Sequence, residues 1–335
     1  MSQDGSAHVA ALERLRAWPR RSLANLPTPL RSTGALARRL GVSHLYVKMD
    51  ADTNFALGGN KVRKLELELA PHRLEGVTHL VTAGGPQSNH CRVTAAAAAR
   101  LGLGCVLVTQ GPEPHPPRGN ALLHRLFGAE IVTVEDRALR SPAMHRVAER
   151  IEAEGGTPRV IPIGASTGLG SLGYALAAAE LQVQLDALDD DCRHTLLFTS
   201  ASSCGTLAGL LLGFALLGRR DVTLFGVSAD VDGRQLRETT LRLASEGAVL
   251  LACDVDLASV PLEVIDDQVG EGYGIPTPAS DAALRRFARL EGIVLDPTYT
   301  SKAAAGMAAW LEGDPTARTE RVVFLHTGGA PGLLA

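Results

Sequence analysis

The sequence predicts an α/β protein of two lobes, each built on an open, twisted, mostly parallel sheet. Three observations carry that expectation. Short β-branched runs alternate with Ala/Leu-rich segments along almost the whole chain, the order that crossover connections produce. The runs are continuously apolar rather than alternating, as strands buried on both faces are. And 335 residues, 45% of them hydrophobic, are enough for two packed lobes.

Taken in chain order, strands are expected at 44–49, 79–82, 105–109, 130–134, 159–163, 195–199, 223–227, 262–265, 293–295 and 321–326. Helices are expected between them, at 60–70, 87–101, 119–127, 143–154, 170–188, 206–217, 280–290 and 301–311. The Pro-rich stretch 111–118 reads as a loop, because its prolines exclude both helix and central strand. No repeat of fixed period is present.

Bulk properties exclude several classes of function. The net charge is −3, with 33 basic and 36 acidic residues interspersed, so neither a nucleic-acid stripe nor a membrane-binding polybasic segment is present. Five cysteines without a CxxC spacing make neither a disulfide framework nor a zinc site, and no metal is expected. A reduced cytoplasm is the expected setting. Residues 1–21 lack the apolar core of a signal peptide, and Asp4 and Glu13 argue against a transit peptide. No apolar run approaches the roughly 20 residues that span a bilayer.

Gly-rich turns follow several strands directly: Ala83-Gly84-Gly85-Pro86, Ser202-Ser203-Cys204-Gly205 and His326-Thr327-Gly328-Gly329. In a doubly wound sheet such corners face the ligand, and glycine lets backbone N–H groups approach an anion at the next helix N-terminus. Glycine also serves turn geometry alone, so each turn by itself says little; three together say more. Lys61 stands directly after Gly58-Gly59-Asn60, at the start of a helix, where a cation is disfavoured. It is either a solvated lysine or an amine whose pKa is lowered so that it can form an imine. Lys64, one turn on, reads as a surface charge. Ser88 is equally suited to helix capping and to catalysis, and Asn89 to capping or to hydrogen-bonding a ligand.

The segment Gly58-Gly59-Asn60-Lys61-Val62-Arg63-Lys64 resembles the cofactor-lysine segment of fold-type II pyridoxal-phosphate enzymes. The closer likeness is to the D-cysteine desulfhydrase / 1-aminocyclopropane-1-carboxylate (ACC) deaminase family. It runs nearly end to end, through 26–30, Gln87-Ser88-Asn89-His90, Gly119-Asn120, Ile161-Pro162, Gly170 to Tyr174, Gly272 to Pro278, Asp296 to Thr300 and His326 to Gly329. The resemblance implies a tryptophan-synthase-β-like fold. Residues 61–171 would form a smaller α/β domain, and 1–60 with 172–335 a larger cofactor-binding domain. It also implies pyridoxal 5′-phosphate, a small amino-acid substrate and a homodimer.

Residue by residue, the resemblance makes Lys61 the Schiff-base lysine and gives Asn89 to the pyridine 3′-oxygen. Ser88 would position the substrate carboxylate or relay a proton, with Gln87 behind it. Ser203, Gly205 and Thr206 would hold the phosphate. Ser202 and Cys204 depart from the family's glycines, and a positive φ at either would be strained. Tyr273 and Tyr299 would line the substrate pocket. His90 reads as a packed or hydrogen-bonded histidine outside the catalytic set.

Thr300 is the position that separates the branches. The ACC deaminase pattern has glutamate after the tyrosine, where a carboxylate would keep the pyridine nitrogen protonated. Tyr299-Thr300 matches the desulfhydrase pattern, and a hydroxyl would leave that nitrogen mostly neutral, which suits β-elimination of a good leaving group. Thr300 could instead cap the helix that follows it. The expected activity is D-cysteine desulfhydration to pyruvate, ammonia and sulfide. L-Cysteate sulfo-lyase is the alternative, and ACC deaminase is disfavoured by Thr300. A non-catalytic cofactor-binding protein is a different class of reading. A NAD-binding Rossmann enzyme is another, but no GxGxxG follows the first strand.

Overall fold

A computed structural model describes residues 3–112 and 114–335. Among them the strands are β1 Leu30–Ser32, β2 His44–Lys48, β3 His79–Gly84, β4 Gly104–Gln110, β5 Glu130–Val134, β6 Pro158–Val160, β7 Thr195–Ala201, β8 Val222–Ser228, β9 Leu262–Ile265 and β10 Arg321–Leu325. They form two sheets, one of six strands in the order β1-β2-β10-β7-β8-β9 and one of four in the order β5-β4-β3-β6. Every pairing is parallel except that of β1 with β2.

The strand sequences explain why both faces are covered. Along β7, Leu196 and Phe198 pack on one side with Phe225, Phe324 and the helix Thr300–Gly313. Leu197 and Ala201 face the other side, toward the helices Gly168–Asp186 and Gly205–Leu216. The smaller sheet repeats the pattern. Leu80 and Leu107 meet the helix Asn89–Leu101, whereas Val81, Val106 and Val108 meet the helix Arg140–Ala153. Strands buried on both faces need apolar residues at consecutive positions, which is the continuous pattern in the sequence.

Two expectations about elements are corrected. Residues 293–295 form no strand. Ile293 and Leu295 are buried and Val294 is exposed, but the segment joins no ladder; its Val294 carbonyl is within 3.1 Å of His326 Nε2. The sequence reading also lacked β1 and the helices Gln3–Ala17, Gly34–Leu40 and Gly233–Leu250. β1 is a three-residue edge strand, paired only with β2. The turns after β3, β7 and β10 come together between the two sheets, and the cavity lies there.

Candidate active site

The helix Lys61–Glu68 is rich in charge, yet every residue from Val62 to Glu68 is buried. Its arginine and its glutamates have partners. Arg63 spans Asp50 (2.9 Å through both Nε and Nη2) and Glu180 (2.8 and 3.0 Å). Tyr174 donates to Asp50 at 2.5 Å, and Lys48 reaches Glu180. Glu66 accepts from the Leu23 and Ala24 amides. Breaking such a buried network would strand a charge, so the helix is held firmly two residues from Lys61. The preceding turn is equally constrained. Gly58 has φ +71°, and a Cβ there would lie 1.7 Å from the Ala51 carbonyl oxygen.

Lys61 lines a cavity of about 280 Å³. Burial lowers its pKa to about 8, against a hydrogen bond with Lys64 that raises it. Lys64 is a correction to the sequence reading, for it is wholly buried rather than a surface charge. Burial and the neighbouring Lys61 push its pKa well below the usual lysine range. Its Nζ donates to Ser166 Oγ (3.0 Å), which donates to Ser203 Oγ (2.8 Å). Among the described residues neither lysine has a carboxylate partner. A buried and a half-buried amine without a counter-ion suit a strongly anionic group.

The turn 202–206 offers a seat for such an anion at the N-terminus of the helix Gly205–Leu216. Ser203 and Thr206 line the cavity. Thr206 Oγ1 accepts from Asn60 Nδ2 at 2.9 Å, which leaves its proton to donate. Cys204 takes a left-handed conformation, φ 62°, and is buried, so the strain a non-glycine risks at this turn is present. Gly205 does not line the cavity. A Cβ there would sit 2.8 Å from Ser166 Oγ, so glycine is required by the approach of the Ser166 loop.

Asn89 has a fixed amide orientation. Its Oδ1 accepts from Arg92 Nη1 (2.8 Å) and Asn120 Nδ2 (2.9 Å). Arg can only donate, so the Asn89 –NH2 is the group left for the cavity, and it suits an acceptor oxygen. Arg92 Nη2 also donates to the Gly58 carbonyl at 2.6 Å, tying Asn89 to the Lys61 turn. Ser88 caps the helix Asn89–Leu101, its Oγ accepting from Cys91 N at 3.2 Å. The residue also lines the cavity.

His90 also lines the cavity, which the sequence reading did not anticipate. Thr82 Oγ1 gives its proton to the Ile161 carbonyl (2.8 Å), so His90 Nε2, 2.8 Å from that hydroxyl, must donate. Nδ1 is then a bare lone pair, and it has no partner among the described residues. Burial, then the two lysines, keep the ring neutral.

Tyr273 and Tyr299 face each other edge to face, centroids 5.8 Å apart, with their hydroxyls hydrogen-bonded. Burial raises both pKa values, and each hydroxyl stays protonated at neutral pH. Above them Arg137 makes a bidentate pair with Asp230 (2.8 and 2.9 Å), linking the smaller-sheet side to the larger. Arg137, Arg140 and Asp230 escaped the sequence reading, since no local pattern marks residues that meet only across the cleft.

Thr300 is not among the cavity-lining residues. It is fully buried, and its hydroxyl donates to Asp296 Oδ1 (2.6 Å) and accepts from Asp296 N (2.7 Å). The Asp296 carboxylate further accepts from the amides of Thr298, Tyr299 and Thr300. Within the protein its one proton goes to Asp296.

A half-buried, pKa-lowered lysine beside an anion seat, between two mostly parallel sheets, defines a site for an aldehyde cofactor that carries a phosphate. Known proteins agree. The family model described as pyridoxal-phosphate dependent enzyme matches residues 21–328, and the chain belongs to that family. The D-cysteine desulfhydrase of Salmonella newport (strain SL254) is 38% identical over 331 residues, covering 97% of this chain and 98% of that one. A solved structure titled as an ACC deaminase homologue is 32% identical with a TM-score of 0.86, covering 100% of this chain and 97% of that one. The processed threonine deaminase isoform 2 of Solanum lycopersicum shares the fold, at 19% identity and a TM-score of 0.66, over 97% of this chain and 90% of that one. The chain is a pyridoxal-phosphate-dependent enzyme of fold type II.

Proposed function

We propose that this enzyme is a carbon–sulfur lyase that converts D-cysteine to pyruvate, ammonia and sulfide. The observation that carries the reading is Lys61, an amine lowered to about pKa 8 beside a second, buried amine and a helix N-terminus. The 38% identity to a D-cysteine desulfhydrase over nearly the full chain gives the substrate. Pyridoxal phosphate, when bound, supplies an electron sink for the substrate's α-carbon.

The residues divide the remaining work. Lys61 would hold the cofactor, and its amine is placed to take the substrate's α-proton. Asn89 donates its amide to the ring 3′-oxygen. Lys64, Ser203 and Thr206, with the turn at Gly205, hold the phosphate. Ser88 and the Asn89 end of its helix receive the substrate carboxylate. Of the paired hydroxyls of Tyr273 and Tyr299, the one whose proton their mutual bond leaves free donates to the departing sulfur. Thr300 acts behind Tyr299 through Asp296. The same reading gives a homodimer in the cytoplasm, with lobes 61–171 and 1–60 plus 172–335, and neither nucleic acid nor membrane as partner.

Purified enzyme given D-cysteine should release pyruvate and sulfide together. Release of 2-oxobutanoate from ACC, with none of either product from cysteine, overturns the reading.

A further inference from the structure

Tyr273 sits in a segment whose backbone carries little restraint of its own. Between β9 and the helix Pro278–Glu291, Gly270, Gly272 and Gly274 take φ +64°, +147° and +80°. Lys302 supplies the restraint. Its Nζ donates to the Val269 carbonyl (2.7 Å) and to the Gly272 carbonyl (2.9 Å), one residue before Tyr273. The position is unfavourable for a cation in itself. Lys302 is fully buried, stands in the first turn of the helix Thr300–Gly313, and has no carboxylate partner among the described residues. Asp230, whose field reaches it, is paired with Arg137. Burial lowers the pKa of the amine. An apolar side chain would fill the same space without that cost, so the bonds to the two carbonyls are what set this lysine apart.

We propose that Lys302 is a positioning residue that clamps the Tyr273 segment to the helix bearing Tyr299 and so sets the tyrosine pair for elimination. The inference rests on the lyase reading above and deepens it, by naming what fixes the geometry of the proton donor. Lys302 is not among the cavity-lining residues, so it acts through others. Tyr299 stands at the N-terminus of the helix Thr300–Gly313, and Lys302 follows in its first turn. That helix therefore reaches the Tyr273 segment twice. The Lys302 amine meets the Gly272 carbonyl, and the Tyr299 hydroxyl meets that of Tyr273. One link alone is a hinge about which the Tyr273 ring can swing. Two links, on adjacent residues of the segment, hold the rings at 68° with centroids 5.8 Å apart. A displacement of about 1 Å in such a group can cost roughly a hundredfold in rate.

The test follows pyruvate release from D-cysteine by the holoenzyme, together with amide hydrogen exchange over residues 269–276. Lys302→Met keeps an unbranched side chain and loses the donor. Its kcat should fall about tenfold or more with KM near the wild-type value, and exchange over 269–276 should quicken about tenfold while the rest of the chain is unchanged. Tyr273→Phe should cost the wild type a similar factor and Lys302→Met almost nothing further, because the two residues act as one unit. Lys302→Arg, which keeps donors for the carbonyls, should regain part of the loss. Lys302→Gln runs the same cycle if Lys302→Met does not fold. Unchanged kcat or unchanged exchange in these variants overturns the proposal. So do losses that multiply in the double variant, or a loss confined to KM or to cofactor binding. A wild type that releases no keto acid from any amino acid sinks the lyase reading instead, and quickened exchange in Lys302→Met then still shows the clamp.

Discussion

Lys61 and Lys64 stand one helical turn apart on the same helix, and no carboxylate of the described residues pairs with either amine. Burial lowers both, and Lys61 further disfavours the charge on Lys64. At neutral pH the pair cannot comfortably hold two protons. That is the condition under which a lysine attacks an aldehyde, and it carries a kinetic consequence.

Only the neutral amine is a nucleophile. Apoenzyme mixed with pyridoxal phosphate should therefore bind it at a rate that rises as pH rises through about 8, then levels. Stopped-flow absorbance reads the midpoint. A midpoint at the ordinary lysine value, 10.5, would mean that burial does not tune this amine. Borohydride reduction and peptide mapping should place the pyridoxyl group on Lys61, not on Lys64 or Lys302.

Phosphate retention should depend on Thr206 and Lys64. Thr206→Val removes the one hydroxyl proton that Asn60 leaves free. The cofactor should loosen by roughly 1.5–3 kcal/mol, the worth of a hydrogen bond to a charged group. Lys64→Met should loosen it at least as much, because a charge goes with the hydrogen bond. Equilibrium dialysis gives both values, and wild-type affinity in either variant excludes that residue from the seat.

Thr300 should matter for the stability of the tyrosine loop. Its hydroxyl lies between two atoms of Asp296, whose carboxylate also holds the Tyr299 amide. Thr300→Val should cost about 1–3 kcal/mol in denaturant unfolding, since Asp296 is buried and loses a donor. Thr300→Glu should cost more, because it sets a second carboxylate beside Asp296. A stable Thr300→Val enzyme with an altered cofactor spectrum would instead put the hydroxyl on the ring nitrogen.

What could be read from the sequence followed from local periodicity and motif order. The continuous apolar runs of β3, β4, β7, β8 and β10 announce strands buried on both sides, and the Gly-rich turns that follow β3, β7 and β10 announce the cleft. Lys61, Asn89 and Ser203, singled out through the family resemblance, all line the cavity. Lys64 was not so singled out. A lysine within Lys-Val-Arg-Lys-Leu-Glu looks solvated until the partners of its neighbours, Asp50 and Glu180, are folded onto the helix from distant segments. The helix Gly233–Leu250 was hidden by its charged, Gly-containing sequence, although Leu236, Leu243 and Ala244 bury one face. Residues 293–295 show the converse: an apolar run gives burial without promising a ladder partner.

The decisive assay follows both products of D-cysteine breakdown in wild type and in Lys61→Ala. Pyruvate and sulfide should form in equal amounts with the wild-type holoenzyme. Both should vanish in Lys61→Ala, which keeps the cavity and loses the amine. Undiminished product from Lys61→Ala, or pyruvate without sulfide from wild type, is incompatible with a lyase that works through Lys61.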